Sequence, residues 1–84
     1  MGLVTGTLKD GAGQLMPNET ITFYHNGTAS GTVTTDAAGK YSKLLTGPLQ
    51  YHAVVDAHYC TPKPMNVPVG VAVINLVKTA TTYP

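Results

Sequence analysis

Leu3-Val4-Thr5-Gly6-Thr7-Leu8-Lys9-Asp10-Gly11-Ala12-Gly13, leading through Pro17 into Thr20-Ile21-Thr22-Phe23-Tyr24, decides the fold. Two runs of alternating apolar and polar residues flank a Gly-rich turn that opens on Asp, which reads as strand, loop, strand. In the first run Val4 and Leu8 share a face with Gly6 between them, while Leu3, Thr5, Thr7 and Lys9 point the other way. A glycine at that place in a strand marks a bulge or close packing against a neighbour. In the turn, Asp10 is suited to bond its own backbone, and Gly11 and Gly13 to take positive φ. The second run, over 19–25, turns Ile21 and Phe23 inward and Thr20, Thr22 and Tyr24 outward.

The rest of the chain repeats this grammar. Asn26-Gly27 is the strongest short hairpin signal in the sequence. A strand over 30–35 follows, with Val33 as its clearest apolar residue. Asp36-Ala37-Ala38-Gly39-Lys40-Tyr41 is a second turn, which Asp36 caps and Gly39 relieves. Tyr41 opens the fourth strand and faces inward. Beyond the break at Thr46-Gly47-Pro48, a strand over 49–57 places Tyr51, Ala53 and Val55 on one face. Gln50, His52, Val54 and Asp56 take the other. Residues 59–64 read as irregular. Residues 65–69 read as a short edge strand, since Pro62, Pro64 and Pro68 exclude a central position. The near-continuous apolar run 71–77 suits a last, well-buried strand, and 79–84 a polar tail without side-chain charge.

Thirteen threonines and many valines favour strands. No ten-residue window free of Gly and Pro carries the i, i+3, i+4, i+7 apolar spacing of a helix. The expectation is therefore an all-β chain: a small seven-stranded β-sandwich of immunoglobulin-like or transthyretin-like type. Residues 1–78 form the sandwich and 79–84 the tail.

Eighty-four residues make one domain. A domain of this size buries only a little over ~60% of its unfolded-chain surface, so oligomerisation or docking on a larger body is the expected aid to stability. A single cysteine, Cys60, excludes an intrachain disulfide. Five lysines face four acids, and arginine is absent. Scattered lysines without arginine make neither a base-reading set nor a basic stripe, which argues against nucleic-acid binding. The low charged fraction, 11%, leaves a surface whose burial against protein desolvates few ions. No charged n-region with an apolar h-region is visible, and the longest apolar run, 67–76, is broken by Pro68, Gly70 and Asn75. The expectation is synthesis and folding in a reducing cytoplasm, away from membranes. The N-glycosylation patterns at Asn18 and Asn26 then read as chance matches, the second better explained as a turn.

His52, Asp56, His58 and Cys60 recur at even spacing and invite a metal reading. A row along one strand, however, places its members about 6–7 Å apart and does not converge into a tetrahedron. His58 and Cys60 likewise lack an orienting third group and an oxyanion nest for nucleophilic catalysis. Gly11-Ala12-Gly13 lacks the helix and Lys-Ser/Thr pair of a phosphate loop. The expectations are no catalytic residues, no metal and no cofactor. Tyr51 reads as core. Tyr24, His25, Tyr59, Pro62, Met65 and Tyr83 are the candidate interface residues, tyrosine being enriched at hot spots. Gly6, Asp10, Gly11, Gly13, Asn26, Gly27, Asp36 and Gly39 are structural. Tyr83 is either disordered or clamped on a neighbouring subunit, and its tail is suited to adding a strand to a partner's sheet.

The string from Val4 to Gln14, with Pro17-Asn18 and Thr20-Ile21-Thr22-Phe23, resembles the N-terminal domain of the side tail-fibre proteins of lambda-like phages and prophages. The likeness continues through Asp36-Ala37-Ala38-Gly39-Lys40-Tyr41-Ser42 and again over 47–55, about two-thirds of the chain. Prealbumin-like and carboxypeptidase-regulatory-like sandwiches share the later Asp-x-x-Gly-x-Tyr pattern. The resemblance implies a virion module that docks on other capsid or tail proteins. Members of that family carry a long fibrous continuation, whereas this sequence stops at Pro84. The expected function is therefore a small capsid decoration, or cement, protein, with a homo-oligomer, a trimer included, at symmetric capsid sites. The alternatives are a tail-fibre attachment or tail accessory module and a carbohydrate- or receptor-binding sandwich.

Overall fold

The computed structural model describes residues 2–83, and they form nine short strands and no helix. The strands are β1 (Gly2–Lys9), β2 (Thr20–His25), β3 (Thr28–Thr34), β4 (Lys40–Leu45), β5 (Leu49–Val55), β6 (His58–Thr61), β7 (Met65–Val67), β8 (Gly70–Val73) and β9 (Leu76–Thr82). They pair in the order β3-β2-β5-β6-β9-β1-β4, with β7 added on β5 and β8 on β1. Pairing is antiparallel except where β1 runs parallel to β8 and β9. The ends of this path approach one another. A Cβ placed on Gly31 of β3 would lie 2.9 Å from Lys43 Cε of β4. The all-β sandwich is thus nearly closed into a barrel, wrapped round a core led by Val4, Leu8, Ile21, Phe23, Met65 and Leu76. Burying each such side chain contributes about 1.5–3 kcal/mol.

The two Asp-x-x-Gly turns are the same device built twice. Asp10 Oδ1 accepts from the N–H groups of Ala12 and Gln14, at 2.9 and 3.0 Å. Asp36 Oδ1 accepts from Ala38 and Lys40, at 2.8 and 2.9 Å. Gly13 and Gly39 close the turns at φ 85° and 72°, each donating to its aspartate's carbonyl at 3.0 Å, whereas Gly11, also expected at positive φ, does not take it. Buried Thr35 ties the long β1–β2 connection to the end of β3. Its hydroxyl donates to Met16 O at 2.7 Å and accepts from Glu19 N at 2.9 Å.

Gly6 has a specific reason. Between β8 and β9 the chain breaks at Ile74-Asn75, and the Ile74 carbonyl points at Gly6, where any Cβ would collide with it. That carbonyl accepts the Tyr41 hydroxyl at 2.6 Å. Asn75 Oδ1 accepts from Thr7 N at 3.2 Å, replacing the ladder bond lost at the break. The pairing offset of β1 with β8 persists into β9, so the two are one parallel partner with a kink.

Four expectations require correction. There are nine described strands rather than seven, because the last run divides at Ile74-Asn75, its first half leaving Val71 and Val73 exposed rather than well buried, and an unexpected strand, β6, lies within 58–61. Asp56 and Ala57, at φ 49° and 60°, form a two-residue hairpin turn of the primed type, so β5 ends at Val55 and the chain reverses into β6. Residues 79–82 of the expected tail are the second half of β9, held by β6 through His58↔Thr82. Pro84 lies outside the described residues. Met65, expected at an interface, is fully buried: β7 pairs with β5 through Tyr51↔Met65 and turns that side chain into the core.

Candidate docking surface

Strand alternation puts Thr22, Tyr24, His52, Val54 and Tyr59 on the outward face of one sheet. The register supports this directly, with Tyr24↔His52, Thr22↔Val54 and Val54↔Tyr59 as cross-strand pairs. Tyr83 joins them from the end of β9, where its N–H donates to Ala57 O at 2.7 Å. Its ring stacks on Tyr24, with centroids 4.4 Å apart and planes at 26°. Tyr59 meets Tyr83 edge-to-face at 5.3 Å, and His52 meets Tyr59 the same way at 5.4 Å. Lys63 Nζ sits 4.0 Å above the centre of the Tyr59 ring, a cation–π contact. These half-buried rings border an open cleft of about 750 Å³ that Asn26, Pro48, Leu49 and Gln50 also line.

The polar groups of the cleft are oriented. His25 Nδ1 donates to Gln50 O at 2.9 Å, and its Nε2 faces the Asn26 side-chain amide at 3.3 Å, which fixes the Nδ1–H tautomer. His52 Nδ1 is buried without a hydrogen-bond partner. Among the described residues no Asp or Glu borders the cleft. The Tyr83 hydroxyl is held above its ordinary pKa, first by burial and then by the neighbouring Tyr24 and Tyr59 phenols. The arrangement offers flat aromatic faces, amide donors and acceptors, and one lysine at the rim. It is chemistry for recognition by stacking and hydrogen bonding.

Four of the six interface candidates, Tyr24, His25, Tyr59 and Tyr83, therefore gather round one cleft. Pro62 is exposed but lies outside its lining, and Met65 belongs to the core. Tyr83, expected to be disordered or clamped on a neighbour, packs within its own chain. His52 and Gln50 complete the cleft. Their outward placement on the fifth strand was legible, but their approach to Tyr83 depends on the strand order. The row of His52, Asp56, His58 and Cys60 does not exist as a row, because the chain reverses at Asp56-Ala57. Among the described residues no three His, Cys, Asp or Glu side chains are grouped as metal ligands would be. Cys60 is a buried free thiol, pushed up to about 11 by burial, and so behaves as a small core residue. Asp56 instead forms a surface ion pair with Lys78 at 3.3 Å.

A second exposed surface lies on β1, β4 and β8. The register aligns Leu44, Leu3 and Val71 in one row and Ser42, Thr5 and Val73 in the next. Val69, Val71 and Val73 are 68%, 71% and 72% exposed, and Leu44 is 57% exposed. Compared with protein-family models and with curated proteins, the chain matches none.

Proposed function

We propose that this chain is a bacteriophage virion structural protein, a small β-sandwich that decorates the capsid and stabilises it by docking on neighbouring virion subunits. The observation that carries the reading is the convergence of Tyr24, Tyr59 and Tyr83 at one cleft. Rigid, half-buried tyrosines are the anchors on which protein interfaces concentrate their binding energy. The resemblance of 4–23, 36–42 and 47–55 to tail-fibre N-terminal domains supports a virion setting. The low charge supports burial against protein. The mechanism is surface burial: an interface of standard size covers ~1,600 Å² in total, and many copies acting together cross-link the shell. The test is sedimentation of the purified chain with undecorated capsids. Binding that is lost with Tyr24→Ala or Tyr59→Ala supports docking through this cleft, and absence of binding by the unaltered chain counts against it.

The oriented Asn26 and His25, with Gln50 beside them and the stacked tyrosines, favour a second reading, a carbohydrate- or receptor-binding module, because amides and aromatic faces together suit a sugar ring. A glycan array separates the two. Saturable hits that Tyr24→Ala abolishes would move the cleft from protein docking to glycan recognition.

A further inference from the structure

Strand β8 pairs with β1 on one side, and among the described residues no strand pairs with its other side. Ile74 N donates to Thr5 O at 2.7 Å, so the peptide groups of Ile74 and, two residues earlier, Ala72 face β1. By the same alternation, Val71 and Val73 turn their N–H and C=O groups to the open edge. Proteins usually guard such edges with lysine, proline or very short strands. The other ends of the sheet follow that rule. β7 has three residues and lies between Pro64 and Pro68, and Lys43 of β4 lies across Gly31 of β3. β8 has no guard. From Pro64 to Val77 the chain holds no charged residue.

Beside the open edge runs a groove of about 410 Å³, lined mainly by apolar side chains, Leu49, Val67, Ala72 and Ile74 among them, with Gln50 and Asn66 as its polar members. The inward positions of β8 alternate Gly70, Ala72 and then the half-buried Ile74. A Cβ on Gly70 would meet nothing within 4 Å, so space stands open at one end of the strand and an apolar side chain at the other. A two-fold axis through Ala72 matches these ends. In an antiparallel pairing about that axis, Gly70 lies opposite the partner's Ile74, and Val71 opposite the partner's Val73. Each Val71 and Val73 then exchanges both backbone bonds across the axis. An uncharged edge meets its own copy without like-charge repulsion, and a charged peptide would be desolvated there without a counter-charge.

We infer that β8 is a self-association edge: two copies of this chain pair β8 to β8 antiparallel about Ala72, joining their sheets into one. The outward row of Leu44, Leu3 and Val71 continues across the axis into Val73 of the second copy and adds apolar contact. The pairing is isologous and closes at two copies, in contrast to the trimer that symmetric capsid sites suggest. A standard interface takes about 800 Å² from each partner, under a fifth of this chain's 4494 Å² surface. The inference uses none of the cleft tyrosines, so it stands or falls apart from the docking proposal.

The test is analytical ultracentrifugation of the full chain from about 1 to 100 μM. The expected result is a discrete species of twice the 8.8 kDa chain mass. Val73→Pro removes an N–H that faces the open edge rather than β1, a place where an edge strand accepts proline, and should give monomer with an unchanged far-UV circular dichroism spectrum, while Val73→Thr keeps the dimer. Ala72→Cys places thiols on the axis, where opposed antiparallel residues lie close enough for a disulfide, and should yield a covalent dimer on mild oxidation. A chain monomeric throughout this range, open-ended aggregates, or a dimer that survives Val73→Pro and resists cross-linking at Ala72→Cys would overturn the inference.

Discussion

The ring of Tyr83, beyond the last strand, lies flat on that of Tyr24, which sits near the end of the second, with centroids 4.4 Å apart. The two residues are far apart in sequence and meet because β9 pairs with β6, β6 with β5, and β5 with β2. On the docking proposal this stack, braced by Tyr59, is the anchor. Tyr83→Ala is expected to weaken capsid binding by about thirtyfold, the mark of a hot spot, while cooperative unfolding persists. Titration of fluorescently labelled chain onto capsids measures the first, and a thermal melt the second.

Gly6→Ala tests the close approach of the Ile74 carbonyl. Backbone lies on both sides of the collision, so neither side yields easily. The expected loss is about 3 kcal/mol, at the upper end of overpacking costs, measured by urea denaturation. An equal loss is not expected at Gly13, where open space surrounds the missing Cβ. There the strain comes only from φ 85°.

Tyr41→Phe removes the hydroxyl that donates to Ile74 O and leaves a carbonyl of the kink without its partner. A buried acceptor left unsatisfied costs about 1–3 kcal/mol. Denaturant unfolding should show that loss, and amide hydrogen exchange should show faster opening of β8 and the start of β9 than of β2.

Ala57→Gly should stabilise the chain by about 1 kcal/mol. Ala57 is exposed and sits at φ 60°, a region that a Cβ disfavours and glycine enters freely. A rise in Tm of several degrees is the readout. A fall would mean that the hairpin turn does not have the described backbone.

Two groups bend the pH profile of stability in opposite directions. Asp36 is held below the usual carboxylate range, chiefly by the backbone N–H groups of Lys40 and Ala38. Its contribution is present above the unfolded value of 3.8 and is lost as pH falls through the lower folded value. Cys60 is pushed from 9.0 up to about 11 by burial, so the folded state keeps a proton that the unfolded state gives up. Stability from that group is intact below pH 9 and declines as pH rises towards 11. In a plot of denaturation midpoint against pH, Asp36→Ala should flatten the acid limb, and Cys60→Ala should lessen the decline between pH 9 and 11, while the Tyr41 and Tyr83 hydroxyls, also raised first by burial, keep an alkaline limb at higher pH.

The parts of the fold that were legible in the sequence are those where only one residue type fits the backbone. Asn26-Gly27 announced its hairpin because both residues take positive φ, and Asp10 and Asp36 announced their turns because each carboxylate bonds the backbone ahead of it. Asp56-Ala57 makes a hairpin just as tight without glycine, so local pattern shows neither β6 nor the end of β5 at Val55. Met65 was misplaced because its flanking prolines forbid a central strand but permit a three-residue strand that points its side chains inward. Gly6 signalled a close approach without revealing that Ile74, at the other end of the chain, makes it. The aromatic cleft was legible only as separate tyrosines, since its assembly rests on strand order, which local patterning does not encode.

The most direct test of the central claim is quantitative mass spectrometry of purified virions assembled from the genome that encodes this chain, with cryo-electron microscopy to place it. The account predicts many copies per particle, bound on the outer capsid surface with the Tyr24 and Tyr83 rings buried against a neighbouring subunit. Virions that lack the chain, in cells that synthesise it in quantity, would contradict it.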